Sequence, residues 1–160
     1  MTRLAAALGD KYQAKRKEIF TRKFELGGHT FTVRIPFVHE SDAIYERVMN
    51  PDEAHIQRLY EAMAAPLLEF KDKSSDEIVY QDNDILVKGR SMREAARNKA
   101  MTENRITEYI KLLVPEAPDA TMDEITYADI EAEFPMSVQL TLVEKIAEVI
   151  SPTYKESRGN

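Results

Sequence analysis

Polar and apolar residues alternate with period two most clearly between Phe20 and Phe37. Phe20, Phe24 and Leu26 share one parity with Arg22 between them, while Phe31, Val33, Ile35 and Phe37 share another, with Thr30, Thr32 and Arg34 opposite. Gly27-Gly28 separates the two runs and supplies the positive φ angles of a tight primed turn, so residues 20–37 are expected to form a β-hairpin with one buried face. Pro36 lacks an amide donor, which either puts the second strand at an edge or ends its pairing. Two short apolar runs, Ile78-Val79-Tyr80 and Ile85-Leu86-Val87, flank Gln81-Asp82-Asn83-Asp84 and predict two further strands around a turn.

Elsewhere the period is helical. Ser41 is placed to cap a helix carrying Ile44, Tyr45, Val48 and Met49. Asn50, Pro51 and Glu53 then make a start of the capping-box kind for a stripe of Ile56, Leu59, Tyr60, Met63 and Leu67 that runs to Leu68 or Phe70, with Pro66 as a kink or early stop. Ser91 with Glu94 opens the longest helix, expected to run to Val114 and stop at Pro115. Its middle, Arg97 to Lys99 and Thr102 to Arg105, is polar nearly all round, which leaves solvent exposure, a break or a partner surface open. Residues 115–125 read as a connection. Thr126 with Asp129 predicts a short capped helix, Pro135 blocks its continuation, and Ser137 is placed to cap a final helix with Val138, Leu142, Val143, Ile146, Val149 and Ile150 on one face. Ser151-Pro152 ends it. Residues 10–19 suit either a short basic helix capped by Asp10 or a disordered segment.

The predicted fold is therefore α+β, a predominantly helical single domain over residues 20–151 with an N-terminal β-hairpin and a second short hairpin. A basic segment, 1–19, precedes it and a C-terminal tail, 152–160, follows.

Length and composition narrow the class. A chain of 160 residues can build one ordinary core, and 43% hydrophobic with 31% charged residues matches a folded domain, neither disordered nor membrane-embedded. The apolar run Leu4 to Leu8 is shorter than the ~7 to 15 residues of a secretory signal, and no run nears the ~20 that span a bilayer, so a cytoplasmic location with no membrane partner is expected. The absence of cysteine excludes disulfides, thiolate metal sites and a cysteine nucleophile. Charge is unevenly distributed: residues 1–23 hold seven basic and two acidic side chains, and residues 114–160 three basic and ten acidic. Such asymmetry suits an acidic partner for the front, contact between the ends, head-to-tail self-association, or solvated faces with no partner.

No pattern for chemistry stands out. His29, His39 and His55 lack ligand spacing, so no metal or other cofactor is expected. Asp82-Asn83-Asp84 begins like a calcium loop, but Val87 stands where the loop needs glycine and Arg93 where it needs glutamate. Phosphate-binding, dinucleotide-binding and nucleophile-elbow motifs are all missing, and the chain reads as non-enzymatic. The basic stretch Lys11 to Lys17 could touch phosphates, although it has no recognition-helix context and the acidic remainder disfavours nucleic acid. Phe134, Pro135 and Met136 stand at a break between helices, where an aromatic beside a proline either plugs the core or anchors a partner. Together with Tyr154 and Arg158 of the aromatic and basic tail, they are the candidate partner-binding residues.

Three stretches carry a family resemblance: the Gly-Gly hairpin with Phe31-Thr32-Val33-Arg34-Ile35-Pro36, the central Asp84-Ile85-Leu86-Val87-Lys88-Gly89-Arg90-Ser91, and Thr126 to Pro135 leading to Ile150-Ser151-Pro152 and on to Arg158. Across most of residues 20–158 the chain resembles the tail assembly chaperones of long-tailed bacteriophages. The resemblance implies a non-enzymatic protein of the host cytoplasm, absent from the finished virion. Such a protein binds the tape measure protein and keeps it soluble before tail tube subunits polymerise around it. The tail tube protein and further copies of the chain are additional partners on this reading, and a longer form made by ribosomal frameshifting is common in the family. Seven methionines could supply adaptable apolar contacts or could equally belong to the core. A nucleic-acid-binding regulatory module and a structural tail-joining or terminator protein are the alternatives.

Overall fold

A computed structural model of the chain describes residues 1–71 and 76–152. The fold is α+β and mostly helical, with the β-hairpin near its N-terminus and a second small sheet. The chain divides into two compact units, Met1–Ser41 with Ile106–Asn160, and Asp42–Arg105.

The first unit is organised by the hairpin of β1 (Thr21–Leu26) and β2 (His29–Arg34). Leu26 pairs with His29 across a two-residue turn in which Gly27 and Gly28 have φ of 59° and 81°, the left-handed pair that a primed turn requires. Phe24 and Phe31 face each other in register and stack with ring centroids 5.2 Å apart. Residues 10–19, for which the sequence leaves a short helix and disorder open, form α2 (Asp10–Ile19), and α1 (Arg3–Leu8) precedes it. Thr2 caps α1, and Gly9 precedes Asp10 as the cap residue of α2 without a side-chain bond, so Asp10 is the first helical residue and not the cap.

The long helix predicted to reach Val114 stops earlier. α5 (Met92–Ile110) closes at Ile110, and the next residues turn to lie along β2. Arg34 N donates to Leu112 O and Val114 N to Thr32 O, both at 2.8 Å, making an antiparallel bridge of Leu113 with Val33. An unpaired strand edge must satisfy its amides and carbonyls, and this competes successfully with one more helical turn just before Pro115. Pairing of β2 ends before Pro36. Over the hairpin lies α7 (Met136–Ile150), which buries Leu142, Val143, Ile146 and Val149 and receives a 3.0 Å hydrogen bond from Arg22 Nη1 at Val149 O. Phe24, Val33, Ile110 and Leu112 complete much of this core.

In the second unit α4 (Glu53–Leu68) packs on α5 through Ile56, with Leu59, Tyr60 and Met63 against Ala96 and Ala100. Asn50 does not start α4. Its side-chain amide donates back to Glu46, closing the preceding helix, and Asp52 occupies the cap position. α4 continues through Pro66, whose missing amide falls near the helix end. β3 (Ile78–Gln81), β4 (Asp84–Val87) and the two-residue β5 (Arg90–Ser91) form a sheet in that order, with Lys88 and Gly89 at positive φ in the second turn. The Asp84 carboxylate accepts from Ile85 N, Ser91 Oγ and Arg93 N, tying the sheet to the start of α5, where Ser91 Oγ caps Glu94 N at 3.0 Å.

α3 (Val38–Met49) starts three residues before the Ser41 that was expected to cap it. Glu40 takes that role instead: its carboxylate accepts from Phe37 N at 3.1 Å and pairs with Arg34 at 2.9 Å. Burial alone would raise the Glu40 pKa, but the Phe37 amide and the Arg34 guanidinium outweigh it and hold the carboxyl below its usual range.

Candidate partner-binding surfaces

The junction of α6 (Tyr127–Glu133) and α7 holds three of the candidate residues. Its first anchor is the predicted capping box: Thr126 Oγ1 accepts from Asp129 N, and Asp129 Oδ2 accepts from Thr126 N at 2.9 Å. The hydrogen bonds that Thr126 N and Thr126 Oγ1 donate to this carboxylate lower the Asp129 pKa. Phe134 ends α6 in an extended conformation, its amide still bonded to Ile130 O at 2.8 Å. Pro135 then serves as the cap residue of α7, so Ser137 lies inside the helix and does not cap it.

Gln139 fixes the angle of the junction. It is buried to 1% exposure; its Nε2 donates to Phe134 O at 2.8 Å and its Oε1 accepts from Tyr127 Oη at 2.9 Å. A buried amide is stable only when its donors and acceptors are matched, and here they lock the carbonyl of Phe134 and the ring of Tyr127 in place. The only mark of Gln139 in the sequence is its position three before Leu142 and four before Val143, which puts it on the apolar face of α7.

The surface that results is apolar and small. The Phe134 ring is half-buried, Pro135 is exposed, and Met136 at 48% and Leu140 at 49% exposure stand one helical turn apart on the outer side of α7. Exposed carboxylates of Glu131, Glu133 and Glu144 lie on the same two helices. Tyr154 and Arg158 lie outside the described residues.

A second surface, with the opposite charge, lies on the first unit. A groove of about 660 Å³ runs between α2, the start of β1, the end of β2 and the segment 111–123. Phe20, Phe37 and Leu113 contribute its apolar surface, and Arg16, Lys17 and Lys111 are among its cations. Phe20 meets Phe37 edge-on at 5.7 Å, with the Arg16 guanidinium 4.6 Å above the Phe20 ring.

The histidines are dispersed. His29 is an exposed neighbour of Glu116, His39 stacks on Phe37, and His55 bonds Glu103 at 3.1 Å in the second unit. Among the described residues no group of three or more histidine, aspartate and glutamate side chains has metal-holding geometry, and no helix is long and apolar enough to cross a membrane. Compared with family models, with curated proteins and with solved structures, the chain matches none of them.

Proposed function

We propose that this protein is a tail assembly chaperone of a long-tailed bacteriophage, a non-enzymatic binder that holds the tape measure protein soluble in the host cytoplasm and is left out of the finished virion. The observation that carries the reading is the stretch from Thr126 to Pro135 and its continuation into α7, which resembles that family in sequence. The same stretch presents Pro135, Met136 and Leu140 outward beside carboxylates. A holding protein needs apolar contact that is not consumed by its own core, rimmed by charge that keeps the complex dissolved. Methionine at the centre of such a patch adapts to varied apolar partners.

Co-expression with the tape measure protein of a long-tailed phage tests the proposal. The soluble yield of the tape measure protein should rise several-fold and the two should co-purify. Unchanged yield without co-purification would refute the reading. Replacing Met136 and Leu140 together by serine should reduce recovery of the partner while the melting temperature shifts little, since both side chains are half in water already.

A further inference from the structure

The groove on the first unit is an inversion of charge. Its described lining residues include four cations, Arg16, Lys17, Arg34 and Lys111, and one carboxylate, Asp123, in a protein whose formal net charge is −6. Arg34 is engaged by Glu40, which leaves Arg16, Lys17 and Lys111 as the groove's outward-acting charges. At Gln13, Arg16, Phe20 and Phe37 the groove meets a second recess of about 760 Å³, whose further lining is largely apolar: Met1, Leu4, Ala5 and Tyr12. Met1, Leu4 and Phe37 are exposed, the last at 47%, so this apolar surface is open to solvent.

The two recesses together make one track with a cationic arm and an apolar arm joined at an aromatic pair. We infer that this track binds an amphipathic segment of a partner protein that carries acidic side chains at one end and large apolar side chains at the other. Charge complementarity selects the acidic end, because Arg16, Lys17 and Lys111 line a path that holds a single carboxylate, Asp123, beside Leu113, Phe20 and Phe37. A nucleic acid fits less well. Its phosphates recur at every nucleotide and need cations along the whole path, whereas here they end at Arg16 and the apolar arm begins. The inference stands on the track alone and does not require the partner to be a tape measure protein.

Fluorescence anisotropy with the intact chain tests it. The probe is a labelled peptide of about 18 residues, roughly five helical turns, with leucines at helical spacing, glutamates in one half and serines in the other. It should bind, and a peptide with lysine for each glutamate should bind at least about tenfold more weakly. Raising salt from about 0.1 M to about 1 M shortens screening from ~10 Å to ~3 Å and should weaken the acidic peptide markedly. Lys17→Glu with Lys111→Glu should cost the acidic peptide about tenfold or more, and Phe37→Ala should weaken it without changing the salt dependence. Should the double variant fold poorly, Lys17→Glu alone, at an exposed position of α2, decides the point. Equal binding of the two peptides, or indifference to Lys17→Glu, would overturn the inference. So would a labelled single-stranded oligonucleotide that binds more tightly than the acidic peptide and loses affinity with the same variants. Co-expression and anisotropy report separately, so a failure of one reading leaves the other measurable.

Discussion

α7 and α5 are built on opposite plans. α7 buries Leu142, Val143, Ile146 and Val149, so its attachment rests on large aliphatic side chains removed from water. α5, over its stretch in the second unit, buries Ala96 and Ala100 completely and Glu103 almost so. There the backbone approaches α4 closely, and polar side chains finish the contact. His55 bonds Glu103, Arg97 donates to Met49 O at 3.2 Å, and Asn104 donates to Arg47 O at 3.1 Å. The polar middle, for which exposure, a break or a partner surface stood open, is an unbroken helix in which Asn98, Lys99, Thr102 and Arg105 are exposed while Arg97, Glu103 and Asn104 bond to the ends of neighbouring helices. A helix can thus be held by volume or by closeness, and the two respond differently to the same kind of substitution. Volume tolerates no truncation, and closeness tolerates no enlargement.

Truncation of α7 should therefore give the largest loss. Leu142, with no exposed surface, should cost about 3 kcal/mol or more when replaced by alanine, read as a lower urea midpoint at unchanged slope. Enlargement of α5 comes next. Ala100→Leu should cost ~1 to 3 kcal/mol by forcing α4 and α5 apart, whereas a leucine at the exposed Asn98 should leave stability within ~0.5 kcal/mol. If Ala100→Leu proved neutral, the distinction between the two helices would collapse.

The smallest effect concerns acid. At Asp84, burial alone would raise the pKa, but hydrogen bonds from Ser91, the Arg93 amide and the Ile85 amide outweigh it and leave the group below its usual value. Glu40 and Asp129 are lowered as well. A carboxylate depressed in the folded state contributes fully above its unfolded pKa, near 4, and that contribution fades as pH falls through the folded value. Stability should accordingly be level near neutrality and decline below about pH 4. Replacing Asp84, which anchors the start of α5, by asparagine should flatten that decline more than Asp129→Asn in the exposed capping box of α6. Thermal melting across pH 2.5 to 7 measures both; equal slopes for the parent and Asp84→Asn would count against the role given to Asp84.

Much of the fold was legible where the deciding chemistry lies within a few residues. Gly27-Gly28 could specify its turn because few other residues take positive φ in succession, and Thr126 with Asp129 could specify the capping box because both partners lie within one turn. The alternation around Phe31 and Val33 sufficed for the hairpin, and the repeat from Leu142 to Val149 for the buried face of α7. At the candidate site the break at Pro135 was equally local. Tertiary structure alone decided the rest. Only the presence of β2 turns Leu112 to Val114 from a helical turn into a bridge with Val33, and only the fold sets the Glu40 carboxylate between the Phe37 amide and Arg34 in the first turn of α3. Gln139 acquires its meaning from Tyr127 and the Phe134 carbonyl, and Lys111 joins Lys17 in one groove because the chain returns to the hairpin after α5. Local preferences amount to a kilocalorie or so per site and act without a partner, whereas an open strand edge or a buried amide is settled only by what the folded chain brings to it.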